Sequence, residues 1–508
     1  MLIAGINISH HGSICLLEDG NIKFYLEEER LSRKKYDGII SKTITKLKPY
    51  TNQLDYVVIC NTKYNYQTHI IQNQFPKIKI INYGDRHHLC HATHGFYNSN
   101  FDSALCFVFD GCGTKTKNTT ELESIYYAEF PNKFTPIFKH YHTQDINLKS
   151  NDIEFYSSGI SVGELFEGTC NVFGFNALDA GKIMGMSSFG KHNTQIPKIF
   201  LNNVAKSPFF FEIKNSYFYG ISKEDIAYAV QTETETHVFN LIKKYSEKYN
   251  CKNIVISGGY ALNCVANYKY LDLGINLYVE PVAHDGGTAI GAAKMLWYEL
   301  TNSTQKFSQE NLYYGFDYDI PNESNTNYKE VCSLLKQNPV CIFQGKSEAG
   351  PRALGNRSIL YNPSIPNGKD ILNKIKHREN FRPFAAVVLE EHVHEWFDMK
   401  GLEFSPFMMY AVNCKKHLRD KIPAVLQVDG TSRIQTVNPS QNLHLYNLIK
   451  MFYNDTGIPM LLNTSFNLAG EPLVETPDDA IYTMKNSDFE YLYFPETQTL
   501  QQYPNAYL

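Results

Sequence analysis

The sequence predicts an α/β chain whose first half is a two-lobed, duplicated fold and whose second half is a further α/β domain. Three observations carry this. A strand followed by a Gly-rich or polar turn and an outgoing hairpin occurs twice. A strand–Gly turn–helix plan also occurs twice. A polar, Asn-rich stretch then interrupts the apolar pattern before it restarts.

The first hairpin unit opens the chain. "LIAGINIS" is an apolar strand, "SICLLEDGN" runs into an Asp-Gly turn, and "IKFYLEEER" alternates as the returning strand. The second unit begins at "ALCFVFDGCGT" and returns through "SIYYAEF". Residues 160 to 250 read as mostly helical. "KNIVISGGYALNCVANYKYL" is a short strand, a Gly-Gly turn and a helix, and "LYVEPVAHDGGTAIGAAKMLWYEL" repeats that plan. In "YDIPNESNTNYKE" (318–330) Pro and Asn break structure, and "VCSLLKQNPVCIFQG" restarts it. The boundary is placed near 325, giving domains 1–325 and 326–508, in keeping with a length of 508 residues at ~150 per domain.

Composition narrows the function classes. Lys and Arg number 48 against 52 Asp and Glu, so no basic field points to nucleic acid and no acidic tail to a solvating segment. Eleven cysteines without a CxxC pair fit neither a disulfide framework nor a zinc knot, and several lie in apolar runs as buried thiols. The start "MLIAGINISHHG" lacks a basic n-region, and no apolar run approaches the ~20 residues of a membrane span. The expectation is a cytoplasmic protein acting on small molecules, with neither nucleic acid nor membrane as partner.

Four of seventeen histidines fall in "HHLCHATH" (87–94). His87 and His91 stand four apart, one face of a helix and a common way to present two nitrogen ligands. Position 88 is His rather than Glu, so this is not the HExxH motif. Asp110 ends the apolar strand of "FVFDGCG", and Asp285 lies in the Gly-rich turn of "AHDGGTAIGAA". Two His and two Asp suit a divalent ion such as Fe2+, Mn2+ or Zn2+. The alternative for the pair alone is a helix carrying surface or core histidines. In "SGGYALN", Gly258 and Gly259 offer backbone N–H groups at a helix start for a phosphate or adenosine, with Asn263 about one turn into the helix. Glu167 in "GELFEG" could accept from ribose hydroxyls, or simply be solvated.

Together these stretches resemble the NodU/CmcH family of O-carbamoyltransferases over nearly the whole chain. "GINISHHGSICLLEDG…EEERLSRKK", "HHLCHATHGFYNS", "FDGCGT", "SVGELFE", "GKIMGMSSFGK", "SGGYALN" and "HDGGTAIGAA" are similar to its N-terminal half. The resemblance implies an actin/sugar-kinase-like ATPase fold there, of the kind used by tRNA threonylcarbamoyl transferases. "GKSEAGPRALGNRSIL", "IKHRENFRPFAAVVLEE", "SPFMMYAV", "VDGTSRIQTV" and "GIPMLLNTSFNLAGEPLVETPDDA" are similar to its YrdC-like C-terminal domain. It further implies that carbamoyl phosphate and ATP form carbamoyladenylate, and that the carbamoyl group passes to a hydroxyl of a sugar or natural product. The implied metal set is His87, His91, Asp110 and Asp285, with Fe2+ placed first. Glu167, Gly181, Gly258, Gly259 and Asn263 form the implied nucleotide set. Arg352, Lys376, Arg433 and Asn463 are the implied donor contacts among cations that also include Arg357, Arg378 and Arg382. Arg378 reads more simply as a salt-bridging surface residue. Mg2+ and a homodimer stay open.

Several departures from the family pattern stand out. In "SHHGSIC" the family's catalytic His aligns with His10, and His11 stands where the family has Asp. Ala180 replaces a Glu, Gln427 a His, Lys346 an Arg, and Ala349 an aromatic. The rival reading is threonylcarbamoyl-type tRNA modification. The fused YrdC-like half and the absence of a basic surface signal speak against it. A metal-bearing ATP-binding scaffold is the non-enzymatic rival, and retention of both the cation and the metal sets speaks against that.

Overall fold

The computed structural model describes residues 1–60, 65–143, 153–157, 159–201, 204–205 and 220–504. The chain is mixed α/β and divides into two compact units. One comprises residues 1–28 and 36–309; the other comprises 29–35 and 310–508.

In the first unit the strands β1 (Leu2–Asn7), β2 (Ser13–Glu18), β3 (Asn21–Glu27), β4 (Tyr56–Cys60) and β5 (Lys79–Asn82) form one sheet in the order β3-β2-β1-β4-β5. β1 to β3 are an antiparallel meander; β4 and β5 add in parallel. The Asp19–Gly20 hairpin expected from the sequence is there, with both residues at positive φ (48° and 86°), as a two-residue turn with the twist of its strands requires. A second sheet repeats the plan with β6 (Ser103–Phe109), β7 (Thr119–Glu129), β8 (Lys133–Thr143), β9 (Glu154–Tyr156), β12 (Asn253–Ser257) and β13 (Asn276–Val279). The short strands β10 (Phe200–Leu201) and β11 (Val204–Ala205) pair separately. The order is β13-β12-β6-β7-β8-β9, with β6 to β8 antiparallel and β12 and β13 parallel to β6. So strand order and direction recur: a three-stranded meander, then two parallel strands beside its first strand. β9 is an addition at the edge. The duplication inferred from sequence is thus a repeated topology.

A helix follows the fifth strand of each repeat: His87–Asn98 after β5, and Thr288–Thr301 after β13. Gly291 lets the two backbones touch, since a Cβ there would stand 2.0 Å from the Cys90 carbonyl oxygen. Thr93 Oγ1 donates to the Gly291 carbonyl at 3.2 Å across the same contact. The helical stretch expected between 160 and 250 contains Val162–Phe173, Ala180–Ser187 and Lys223–Lys248, and part of it lies outside the described residues. Among the described residues no helix is long and apolar enough to cross a membrane.

The second unit is built on β14 (Val340–Phe343), β15 (Arg357–Tyr361), β16 (Ala385–Leu389), β17 (Phe397–Asp398), β18 (Ala411–Cys414), β19 (Thr431–Val437), β20 (Met460–Ser465), β21 (Tyr491–Phe494) and β22 (Thr499–Gln502). They form one sheet in the order β17-β18-β19-β16-β20-β15-β14-β21-β22. The helices Tyr328–Leu335 and Leu443–Thr456 bury Val331, Leu445, Leu448 and Phe452 with Val387, Leu389, Val437 and Leu461 of the sheet.

Residues 310–325, placed by the sequence reading in the first domain, group with the second unit. Tyr313 Oη donates to the Leu354 carbonyl (2.9 Å), Tyr318 Oη to Glu475 Oε1 (3.1 Å), and the Glu323 N–H to Thr499 Oγ1 (2.9 Å). Residues 29–35 were not foreseen there. Arg30 Nη2 donates to the Gly350 carbonyl (2.5 Å), and Arg33 Nη1 and Nη2 to those of Leu473 (2.6 Å) and Pro472 (3.0 Å).

Candidate functional site

Each member of the His/Asp set comes from the end of a repeated element. His87 and His91 lie on one face of the helix after β5, Asp110 directly follows β6, and Asp285 opens the turn Asp285–Gly287 before the helix after β13. All four are buried, and their ligand atoms lie within 4.8 Å of one another. His87 Nε2 is 3.1 Å from Asp110 Oδ2 and 3.6 Å from Asp285 Oδ1; His91 Nε2 is 3.7 Å from each of the same two oxygens. Neither ring nitrogen of His91 has a hydrogen-bond partner. Burial works against a charged His87, yet Asp285 and Asp110 outweigh it and hold its pKa well above that of an ordinary histidine. Burial would likewise raise Asp285, but His10 and His87 hold it well below the usual carboxylate range. Close opposite charges explain both directions.

His10 follows β1 and is partly exposed, with Nδ1 3.5 Å from Asp285 Oδ2. A proton on Nδ1 facing that carboxylate leaves Nε2 as the acceptor. His11, its neighbour, is stacked on His284 (ring centroids 4.4 Å apart, 17° between planes). Burial, then His284 and His10, push His11 well below the ordinary histidine value.

The residues read as a nucleotide set gather around Asp110 in part. Gly258 has φ of 87°, and a Cβ there would meet the Phe109 carbonyl oxygen at 2.3 Å. The Gly259 N–H donates to Asp110 Oδ1 at 3.3 Å, so the turn is tied to the His/Asp cluster. Glu167 Oε1 stands 2.5 Å from where a Cβ on Gly111 would be. Gly181 is exposed in the first turn of its helix, with open space about it. Asn263 is not one turn into a helix as the sequence suggested. It is the N-cap of Cys264–Tyr270, accepting from the Ala266 N–H (3.2 Å), and it exchanges hydrogen bonds with Gln231 (3.0 Å each way). The Gly-Gly turn leads first into a short 3-10 turn, Gly259–Leu262, which displaces the helix start.

In the second unit, Arg433, Ala385 and Asn463 are direct neighbours across β19, β16 and β20. Their face is apolar further along, at Val437, Leu389 and Leu461, and turns polar at this end. Asn463 Nδ2 donates to Gln435 Oε1 (2.9 Å) and to the Ala353 carbonyl (3.2 Å), which brings the loop of Arg352 to the same end. Buried Lys376 donates to the Ser465 carbonyl, at the end of β20, and to Asn467 Oδ1 at 3.1 Å. Burial first, then repulsion from Arg378 and Arg382, pushes the Lys376 amine well below its ordinary value. Arg378 falls to about 9 through burial, Arg382 and Arg433. These partly desolvated cations therefore repel one another, an arrangement an anion would relieve.

Two arginines differ from their sequence reading. Arg378 is not a surface ion pair: Nε donates to Asn373 Oδ1 at 2.5 Å, and its guanidinium lies 4.2 Å from the Phe384 ring centroid. Arg357, grouped with the anion-binding cations, is fully buried and donates to the backbone carbonyls of Gln344 (2.5 Å), Gly345 (3.0 Å) and Glu475 (3.2 Å). It holds the fold. Two polar residues escaped notice. Glu348 Oε1 accepts from the N–H groups of Leu354 (2.7 Å), Asn356 (2.8 Å) and Arg357 (3.2 Å), shaping the loop after Arg352. Gln435 orients Asn463, and its spacing of two from Arg433 on a strand was a usable signal.

The first unit thus holds a buried His/Asp cluster with His10 beside it, and the second holds a group of mutually repelling cations. The "Carbamoyltransferase N-terminus" family model matches residues 57–222 and 209–294, and the "Carbamoyltransferase C-terminus" model matches residues 331–500. The chain belongs to the NodU/CmcH family of carbamoyltransferases and is an enzyme of that class. It is 28% identical to nodulation protein NolNO of Sinorhizobium fredii (strain NBRC 101917 / NGR234), over 95% of this chain and 77% of that one. Nodulation protein U of the same strain is 26% identical over 92% and 94%. Uncharacterized protein MJ1051 of Methanocaldococcus jannaschii is 30% identical over 97% and 98%.

Proposed function

We propose that the enzyme is an O-carbamoyltransferase that converts carbamoyl phosphate, water and ATP into carbamoyladenylate, phosphate and pyrophosphate, and passes the carbamoyl group to a hydroxyl of a small-molecule or sugar acceptor. The observation that carries the reading is the spacing of the His/Asp cluster. Ligands ~2.0–2.1 Å from a tetrahedral divalent ion stand ~3.4 Å apart. The four His–Asp separations run from 3.1 to 3.7 Å, three of them too long for hydrogen bonds, and the whole set spans up to 4.8 Å, which suits a divalent ion in an open or irregular arrangement rather than an ideal tetrahedron. His91 Nε2, which faces both carboxylates without a hydrogen bond, fits the same need. When bound, such an ion would supply Lewis-acid polarisation of the carbamoyl oxygen.

The chain's own residues supply the rest. His10 is accessible to an acceptor, and Asp285 orients its Nδ1. As the acceptor oxygen bonds to the carbamoyl carbon, its proton passes to His10 Nε2 and AMP leaves with the bonding pair. The cations at Arg352, Lys376 and Arg433, with Asn463, are the proposed donor contacts. Glu167, Gly181 and the Gly258–Gly259 turn are the proposed nucleotide contacts, with Asn263 holding the helix beside them.

The test incubates the enzyme with ATP and carbamoyl phosphate and quenches it rapidly to trap the adenylate. Hydroxyl acceptors are then screened by mass for the gain of one carbamoyl group. ATP turnover that does not depend on carbamoyl phosphate refutes the reading, as does turnover stimulated only by tRNA.

A further inference from the structure

Beside the His/Asp cluster lies a buried group that the proposed reaction does not use. Glu27 ends β3 and His284 precedes Asp285; both are buried. Tyr25 Oη donates to Glu27 Oε1 at 3.0 Å, and His284 Nε2 stands 3.1 Å from the same oxygen. At the other edge of the ring, His284 Nδ1 accepts from the Gly286 N–H at 3.1 Å. That bond needs a lone pair on Nδ1, so the proton rides on Nε2 and points at Glu27. The ring is therefore held at both edges.

Both consequences reach the cluster. His284 is the N-cap of the turn Asp285–Gly287, so the bond that fixes its ring also shapes the turn that presents Asp285. There is no slack in that turn. A Cβ on Gly286 would stand 2.6 Å from Tyr25 Oη and 2.7 Å from His284 Cε1. The face of the same ring carries His11, whose buried Nδ1 has no hydrogen-bond partner, so its ring contacts, the His284 stack and the Tyr36 edge, orient it. The His11 ring meets that of His10 at 4.7 Å and 65°, and His10 returns to Asp285. The contacts close into a ring of residues.

We propose that Glu27 and His284 are positioning residues: their hydrogen-bonded pair sets where Asp285 presents its carboxylate and, through the stacked His11, where His10 stands. This rests on the metal reading of the cluster. Partners that orient metal ligands typically change metal affinity by ~10–100-fold when removed.

The experiment titrates metal-stripped protein with Co2+ and follows the visible ligand-field absorption, which reports coordination geometry rather than turnover. His284→Phe keeps an aromatic face for the stack, on a somewhat larger ring, but removes both nitrogens. It is expected to weaken Co2+ binding by ~10–100-fold and to shift the bands. Glu27→Ala should do the same, whereas Glu27→Gln keeps an acceptor oxygen and should restore binding close to wild type. Circular dichroism checks each fold, and if Glu27→Ala does not fold, His284→Phe decides. A wild-type spectrum and affinity in His284→Phe would mean that the ring only packs, and overturns the inference while leaving the metal reading intact. A wild-type chain that binds no Co2+ overturns both.

Discussion

Replacing Lys376 by Met removes a charge while keeping much of the side-chain volume. The amine is buried and held by the Ser465 carbonyl and Asn467 Oδ1, and its pKa is lowered by burial and by Arg378 and Arg382. On the proposed donor reading, a bound anion would offset that repulsion. A charge-assisted contact is worth ~1.5–3 kcal/mol. At ~1.36 kcal/mol per decade, the loss is about 10- to 150-fold in donor affinity. Calorimetry with inorganic phosphate as a stable probe, and with fresh carbamoyl phosphate, measures it. The pH dependence adds a signature. An anion favours the protonated amine, so above the lowered pKa binding must take up a proton, and wild-type affinity falls as pH rises. Lys376→Met should lose most of that slope. Stability runs the other way. Between the lowered folded pKa and the ordinary value of 10.5, the unfolded chain holds the extra proton. Wild-type stability therefore rises with pH through that window and levels off above it. Phosphate binding by Lys376→Met with wild-type affinity and slope would refute the assignment.

Three other outcomes are expected. His10→Asn should still form carbamoyladenylate but lose ~10²–10⁴-fold in transfer, followed by rapid quench and product mass, whereas His11→Asn should cost much less. The His87→Ala/His91→Ala double variant should lose the divalent ion found by elemental analysis of the wild type; equal metal content in the two would sink the ligand set. Gly291→Ala should destabilise the first unit by ~1–3 kcal/mol in urea melts, because its Cβ would stand 2.0 Å from the Cys90 carbonyl oxygen of the facing helix.

Local chemistry made part of this molecule legible from sequence. The Asp19–Gly20 hairpin, the i,i+4 pair His87/His91 and the strand-end Asp110 each follow from a few adjacent residues. The repeated strand order could be suspected because the same turn-and-hairpin plan recurs in the text. What stayed hidden depends on which way a side chain points across long separations. Arg352 and Arg357 look alike in "GPRALGNRS", yet Arg357 opens β15, is fully buried, and spends its donors on carbonyls of distant segments. His11 looked like a stray departure until His284, far along the chain, was found against its face. Asn263 misled because the 3-10 turn before its helix moved the cap onto it.

The excursion of residues 29–35 into the second unit has a consequence for synthesis. These seven residues leave the ribosome with the first strands, but the chain from 310 onward that they pack with comes last. At ~5–20 residues per second, the 320 residues from Arg30 to Gly350 take roughly 16–64 s, and the 440 from Arg33 to Leu473 roughly 22–88 s. Arg30 and Arg33 must spend that wait hydrated, without the carbonyls of Gly350, Pro472 and Leu473. A C-terminal fragment beginning at 310 lacks residues 29–35, a piece of its own unit. Neither half is a freely exchangeable module: any split or fusion of this enzyme must keep the early segment with the late unit.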